Sequence, residues 1–232
     1  MRLLFVCCFV ICSLCATDTY LHQAIDENHN EDIDALLYKH RNDINTISTD
    51  GASPLFSAVT EKSYIWVKKL LEHGADPNQR CISGRTPLFE ACNSTVPSTI
   101  VELLLLYGAD PNEASNSSQA PLHILLHKAT LDNEKYKRRR NIIRLLLAYH
   151  ARVDITDANE DTPLSYFLKQ ADHNKDTYLA HLLITHGASL PDGDVTQLPI
   201  MYDPHDKHKT QDVAYYSHLL YQPTRDTTND LI

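Results

Sequence analysis

Apolar residues along this chain keep a two-part cadence. Short stretches of mixed small and apolar residues open at Ser53-Pro54-Leu55-Phe56, Thr86-Pro87-Leu88-Phe89, Ala120-Pro121-Leu122-His123 and Thr162-Pro163-Leu164-Ser165. A denser aliphatic run follows each: Val67 to Leu71, Ile100 to Leu106, Ile142 to Leu147 and Leu182-Leu183-Ile184. Ser53, Thr86 and Thr162 are hydroxyl residues directly before proline, which suits a helix N-cap with proline at the first helical position. Ala58, Ala91 and Cys92 are small enough for a second helix to approach closely. Three of the leucine runs stop at Gly74, Gly108 and Gly187, the expected left-handed residue after a helix. His150 and Arg41 take that slot elsewhere, at a steric cost for positive φ that glycine avoids. The pattern therefore predicts a series of helix pairs.

A second motif follows each pair: Gly74-Ala75-Asp76-Pro77-Asn78, Gly108-Ala109-Asp110-Pro111-Asn112, His150-Ala151-Arg152-Val153-Asp154 and Gly187-Ala188-Ser189. Thr19-Tyr20-Leu21-His22 and Arg41-Asn42-Asp43-Ile44-Asn45 form a degenerate first copy. Positions 20, 54, 87, 121 and 163 are spaced 34, 33, 34 and 42 apart. This resembles the ankyrin repeat, whose signature is T-P-L-H-x-A with a period of about 33 residues. The resemblance covers roughly residues 17–190, in units near 17–49, 50–82, 83–116, 117–158 and 159–190. It implies an all-α solenoid of helix-turn-helix units carrying β-turn fingers. From the helix-closing slot to the next repeat start is always 13 residues, whereas the preceding span runs 21, 20, 21, 29 and 24. Insertions are therefore expected between the two helices of a unit, the longest near 129–138.

Stacked units of this kind share one elongated core whose contacts are mainly between neighbours. The first unit suits a cap, because Asp26, Glu27, Asn28, Glu31, Asp32 and Asp34 crowd its helices. Leu198-Pro199-Ile200 looks like the start of a sixth, incomplete unit. Within the tail 191–232, residues 211–222 place Val213, Tyr216, Leu219 and Leu220 at helical spacing. That helix is expected to cap the last repeat; a short partner-binding motif is the alternative.

The first sixteen residues differ from the rest. Arg2, an apolar run from Leu3 to Ile11 and small residues ending at Ala16 have the layout of a cleaved secretory signal peptide. Export, to a secreted or periplasmic location, is the expectation. The run is too short to span a bilayer as a helix. Four of the six cysteines fall inside it, leaving Cys81 and Cys92 and no disulfide framework. The chain of 232 residues is 43% apolar and carries a formal charge of −9. That much apolar content supports a real core, and the acidity disfavours binding to a phosphate backbone.

Few residues suggest chemistry. His123 and His127 are four apart on an expected helix but lack the glutamate of a zincin motif. His123 also fills the repeat's own histidine slot, as His22 does, where a structural role is expected. Asp203, His205 and His208 form a polar cluster without a second half, and carry the alternative of a metal-dependent enzyme. Lys135, Lys137, Arg138, Arg139 and Arg140 make the one dense basic run. It lies at a helix start, where positive charge opposes the dipole, so docking of an acidic partner is weighed against a solvated face. Asn93-Ser94-Thr95 and Asn116-Ser117-Ser118 are glycosylation sequons in a number that chance supplies. No phosphate-binding loop, nucleophile elbow or paired-cysteine zinc motif is present. No enzyme activity, cofactor or metal is expected.

In ankyrin proteins, fingers and first helices line a concave groove for a protein partner. Carried onto this chain, that implies finger positions Ser48, Thr49, Ala52; Cys81, Ile82, Arg85; Ser115, Asn116, Gln119; and Asp157, Ala158, Asp161. The matching first-helix positions are Ser57, Thr60; Glu90, Asn93; Ile124, His127; and Tyr166, Lys169. Ile82, Ile124 and Tyr166 are the expected hot spots. The resemblance thus implies a non-enzymatic, monomeric scaffold with a protein partner, no nucleic acid and no membrane span in its mature form. An intracellular adaptor, or a host-directed effector of a bacterium or virus, is the alternative.

Overall fold

The computed structural model describes residues 20–28, 32–49, 51–127, 133–169 and 177–189. The signal-peptide segment, the polar cluster at 203–208 and the 211–222 helix lie outside these residues. Ten α-helices are present among them: α1 (Tyr20–Asp26), α2 (Ile33–Lys39), α3 (Pro54–Thr60), α4 (Tyr64–Glu72), α5 (Pro87–Asn93), α6 (Ser98–Leu106), α7 (Pro121–His127), α8 (Asn133–Ala148), α9 (Pro163–Lys169) and α10 (Thr177–Thr185). They form five pairs. The odd-numbered helices stack in one row, each on the next from α1 to α9. The even-numbered helices α2, α4, α6 and α8 stack as a second row behind it. One continuous core threads both rows from Leu21 to Ala188. Trp66 of α4 is its largest fully buried side chain.

The helix ends obey local chemistry. Ser53 Oγ accepts from Phe56 N, Thr86 Oγ1 from Phe89 N and Thr162 Oγ1 from Ser165 N, each at 3.2 Å. These bonds satisfy orphan donors of the first turn, with proline beside the cap. At the other end, Gly74, Gly108, His150 and Gly187 all adopt positive φ. The alanine after each donates back into the helix, as Ala109 N does to Leu104 O at 3.0 Å, and is buried.

Arg41 departs from its expected left-handed role. Residues Arg41–Asp43 instead form a 3-10 turn, and Asp43 carboxylate lies 3.2 Å from His40 Nδ1. The expected β-turn fingers also require correction, because no strand or bridge occurs among the described residues. Each loop between units is closed across its tip by a backbone bond spanning four residues, with a turn bond spanning three nested inside it. Examples are Ser48 N to Ala52 O and Cys81 N to Arg85 O, at 2.8 and 3.0 Å. Loops this short cannot build a ladder, and side chains provide most of their stitching. Asn78 Oδ1 accepts from Asp110 N at 2.7 Å while its Nδ2 donates to Gly108 O at 2.9 Å. Asn112 repeats this with Arg152 N and His150 O, and Asn45 Oδ1 accepts from Asp76 N.

The long insertion is partly helical. α8 begins at Asn133, so it takes in much of the extra length, and residues 128–132 lie outside the described set.

Candidate functional site

The odd-numbered helices and the loops that precede them share one face. Between the first three units this face is hollowed into a cleft of about 570 Å³. Eight of the twenty positions expected to face a partner line it: Ser48, Thr49, Ala52, Ser57, Thr60, Cys81, Ile82 and Arg85. Its floor comes from Phe56 and Thr60 of α3, and its walls from the loops at 48–52 and 81–85. Asp26 at the end of α1 and Glu61 just after α3 complete the lining.

Ile82 stands 71% exposed at a loop tip, yet that loop is braced on both sides. A Cβ built on Gly51 would meet Ile82 Cγ1 at 2.3 Å, so the neighbouring loop lies directly against it. From the other side, Asn116 Nδ2 donates to Ile82 O at 3.1 Å and Asn116 N to Ser83 O at 3.3 Å. Arg85 is held too, donating from Nη1 to Glu90 Oε2 at 2.6 Å and from Nε to Ser83 Oγ at 2.8 Å. Glu90 is thus half-buried beneath Arg85 rather than open to a partner.

The remaining expected contacts are dispersed. Gln119 and Ile124 are half-buried on the loop and helix of the fourth pair. Asp161 is buried, its Oδ1 accepting from Ser165 Oγ at 2.9 Å and pairing with Lys169 Nζ at 2.6 Å. The Lys169 ammonium, opposed by burial, holds the Asp161 carboxyl below the ordinary range. Ser115 and Asp157 are buried as well, so these loop positions serve the fold. Tyr166 is half-buried and sets its ring edge-to-face on His123, with centroids 6.5 Å apart.

Both slot histidines act between units. His22 Nε2 donates to Ala52 O at 3.0 Å, and His123 Nε2 donates to Asp161 O at 2.9 Å. Each acceptor sits two residues before the next helix's proline. His123 does more, since its Nδ1 accepts from Ala120 N at 3.2 Å. It thereby satisfies the N–H of the cap residue itself, whereas the cap hydroxyls of the other units accept from the N–H three residues further on. Burial pushes the His123 imidazole below its ordinary pKa, against the carboxylates of Asp157 and Asp161.

The basic run does not form one surface. Arg138 turns inward and donates from Nη2 to Ala91 O at 3.1 Å and Ser94 O at 2.9 Å, and from Nε to Val96 O. It caps the carbonyl end of α5. Arg139 is buried. Lys135 and Lys137 are exposed, with Lys137 paired to Glu134 at 2.9 Å. Arg140 is half-buried. The two thiols are equally unlike. Burial drives the Cys92 thiol up to about 12. For Cys81, burial raises the pKa, but the Ser83 hydroxyl, backbone bonds at residues 85 and 83, and the Arg85 charge outweigh it.

Among the described residues, no group of three or more His, Cys, Asp or Glu could hold a metal ion. No described helix is long and apolar enough to cross a membrane. Helix pairs stacked in two rows, with asparagine-stitched loops along one edge, define a repeat solenoid. The model of the family described as ankyrin repeats, in three copies, matches residues 21–115, and this stretch of the chain is made of ankyrin repeats. Such repeats are generally non-catalytic scaffolds. No curated protein matches the chain.

Sequence reasoning did not foresee Phe56, Glu61 and Ser83 in the cleft. Glu61 had a usable signal, since it directly follows Thr60, a position the family pattern turns toward the groove.

Proposed function

We propose that the chain is a non-enzymatic scaffold that holds a partner protein along the face of its odd-numbered helices. The cleft between the first three units carries this reading, because it presents a braced, exposed aliphatic side chain beside the carboxylates of Asp26 and Glu61. Rigid apolar anchors with polar surroundings are what binding hot spots use. Ser48, Thr49, Ala52, Ser57, Ile82 and Arg85 are the primary contacts, with Gln119, Ile124, Tyr166 and Lys169 extending the surface. The fourth and fifth helix pairs, which repeat the same caps and closures beyond residue 115, are read as further ankyrin units of the same domain. The tail 191–232 is read as a cap.

Photocrosslinking in cells that make the protein tests the surface. A photoreactive residue at Ile82 should give a discrete protein adduct, while one at Ile65, exposed on α4 in the other row, should not. Adducts at Ile65 alone would overturn the assignment.

Export is part of the proposal and is supported by residues 1–16 alone. N-terminal sequencing of the mature protein should find a start near Ala16 or Thr17. A mature chain beginning at Met1 would favour the intracellular adaptor.

A further inference from the structure

We infer that the cleft takes a short segment of the partner carrying a lysine or arginine close to an aliphatic side chain, an inference that rests on the scaffold reading above. Size comes first. A cleft of about 570 Å³ lies in the range of about 300–1,000 Å³ typical of ligand pockets. That admits a few side chains rather than a folded surface.

Charge then selects among segments. Three charged residues line the cleft: Asp26, Glu61 and Arg85. Arg85 is already committed to Glu90 and Ser83. Asp26 and Glu61 make no ion pair among the described residues and are exposed. Both stand at the carbonyl ends of helices, Asp26 as the last residue of α1 and Glu61 as the residue capping α3. The helix dipoles there add negative potential to the two carboxylates. This rim therefore attracts a cation and repels a carboxylate. The same lining offers Ile82, whose loop is packed against Gly51 and held by Asn116, so an aliphatic partner group meets it at little further cost in ordering. Ser57 on α3 forms no side-chain hydrogen bond among the described residues, and its hydroxyl is available to the segment's backbone.

Selection of short random peptides displayed on phage against the full chain tests this. Synthetic copies of the selected peptides are then measured by fluorescence anisotropy against wild type, Asp26→Asn/Glu61→Gln and Ile82→Ser. The expected binders pair a basic with an aliphatic residue. They should weaken by about tenfold on the charge variant, with much of that difference lost at high salt. Binders that are acidic or uncharged, or that ignore the charge variant while still needing Ile82, overturn the cation inference and leave the scaffold reading standing. Binders indifferent to Ile82→Ser as well would remove the cleft from both. Recovery of no binder would overturn the short-segment occupant. Both carboxylates are exposed and make no ion pair among the described residues, so the charge variant should fold as wild type does.

Discussion

His123 and Asp161 are joined across a unit boundary, the buried imidazole Nε2 donating to the Asp161 carbonyl at 2.9 Å. Because Nδ1 accepts from Ala120 N, the ring must be neutral, with its proton on Nε2. Protonation would set an Nδ1 proton against the Ala120 amide. Asp157 and Asp161 favour the charged ring, yet burial outweighs them and depresses the pKa below 6.5. A histidine depressed on folding contributes stability that is complete above its unfolded value of 6.5. That stability is lost as pH falls from there toward the lower folded value. Urea midpoints should therefore drop between neutral pH and pH about 5. His123→Phe should show less of this drop. Equal losses in both proteins would refute the role.

The same slot yields a sharper experiment. Phe56 and Phe89 occupy it in the second and third units, where Ser53 and Thr86 supply the cap. His123→Phe alone orphans the Ala120 amide, at a cost of about 1–3 kcal/mol, and removes the inter-unit bond to the Asp161 carbonyl, which keeps its bond from Asp157 N. Ala120→Thr together with His123→Phe rebuilds the neighbours' hydroxyl cap on the residue-123 N–H, but restores neither the acceptor for the residue-120 amide nor the link to Asp161. Denaturant titration should show the double variant regaining about 1 kcal/mol of the loss. No recovery would mean that the two bonds of the His123 ring, to the Ala120 amide and the Asp161 carbonyl, carry the whole effect.

What the sequence disclosed about this region was local. Hydroxyl-proline caps, glycine closures and the recurring Asp-Pro-Asn signal a repeat because each acts within a few residues of itself. His123's bond to Asp161 spans 38 positions and Arg138's bonds to α5 span 44 and 47. No spacing rule reaches that far. Arg41 misled because its slot matched while its chain turned into a 3-10 helix. The fingers were overdrawn since a loop closed by two nested bonds resembles a hairpin in sequence but makes no ladder. For the cleft, loop positions were legible from the repeat, whereas the burial of Asp161 and Ser115 depends on packing that only the fold reveals.

Asn78 and Asn112 test the stitching between loops. Each side chain accepts one backbone N–H and donates to one carbonyl of the next unit. Replacement by alanine should cost about 1–2 kcal/mol per site. Asn42→Ala, exposed and outside these bonds, should stay within about 0.5 kcal/mol of wild type. Equal midpoints for Asn78→Ala and Asn42→Ala would show that water replaces the stitches at no cost.

Gly108 and Gly84 separate backbone strain from crowding. A Cβ on Gly108, at φ +88, meets nothing within 4 Å, so Gly108→Ala measures the left-handed conformation alone, about 1 kcal/mol. A Cβ on Gly84 would lie 2.8 Å from the Asn116 backbone nitrogen and 2.0 Å from its side-chain oxygen. Gly84→Ala should cost more, about 2 kcal/mol or above, and should loosen the brace behind Ile82. Hydrogen exchange at residues 81–85 should rise in Gly84→Ala and stay unchanged in Gly108→Ala.

Arg138 provides the last test, because its place in a basic run conceals a structural task. Three carbonyls at and beyond the end of α5, those of Ala91, Ser94 and Val96, converge on its guanidinium. A helix end leaves such groups unsatisfied, and the planar fork of arginine serves several at once. Lysine offers one compact ammonium and cannot span the same set. Arg138→Ala and Arg138→Lys should both lower stability, by about 2–3 kcal/mol for alanine with little rescue by lysine. Lys137→Ala, exposed and paired only to Glu134, should fall within about 0.5 kcal/mol of wild type. If Arg138 instead served a partner as part of a basic face, the two substitutions would leave the unfolding midpoint unmoved. Loss of stability confined to Arg138 would place the insertion's role inside the fold, fastening α8 onto the end of α5.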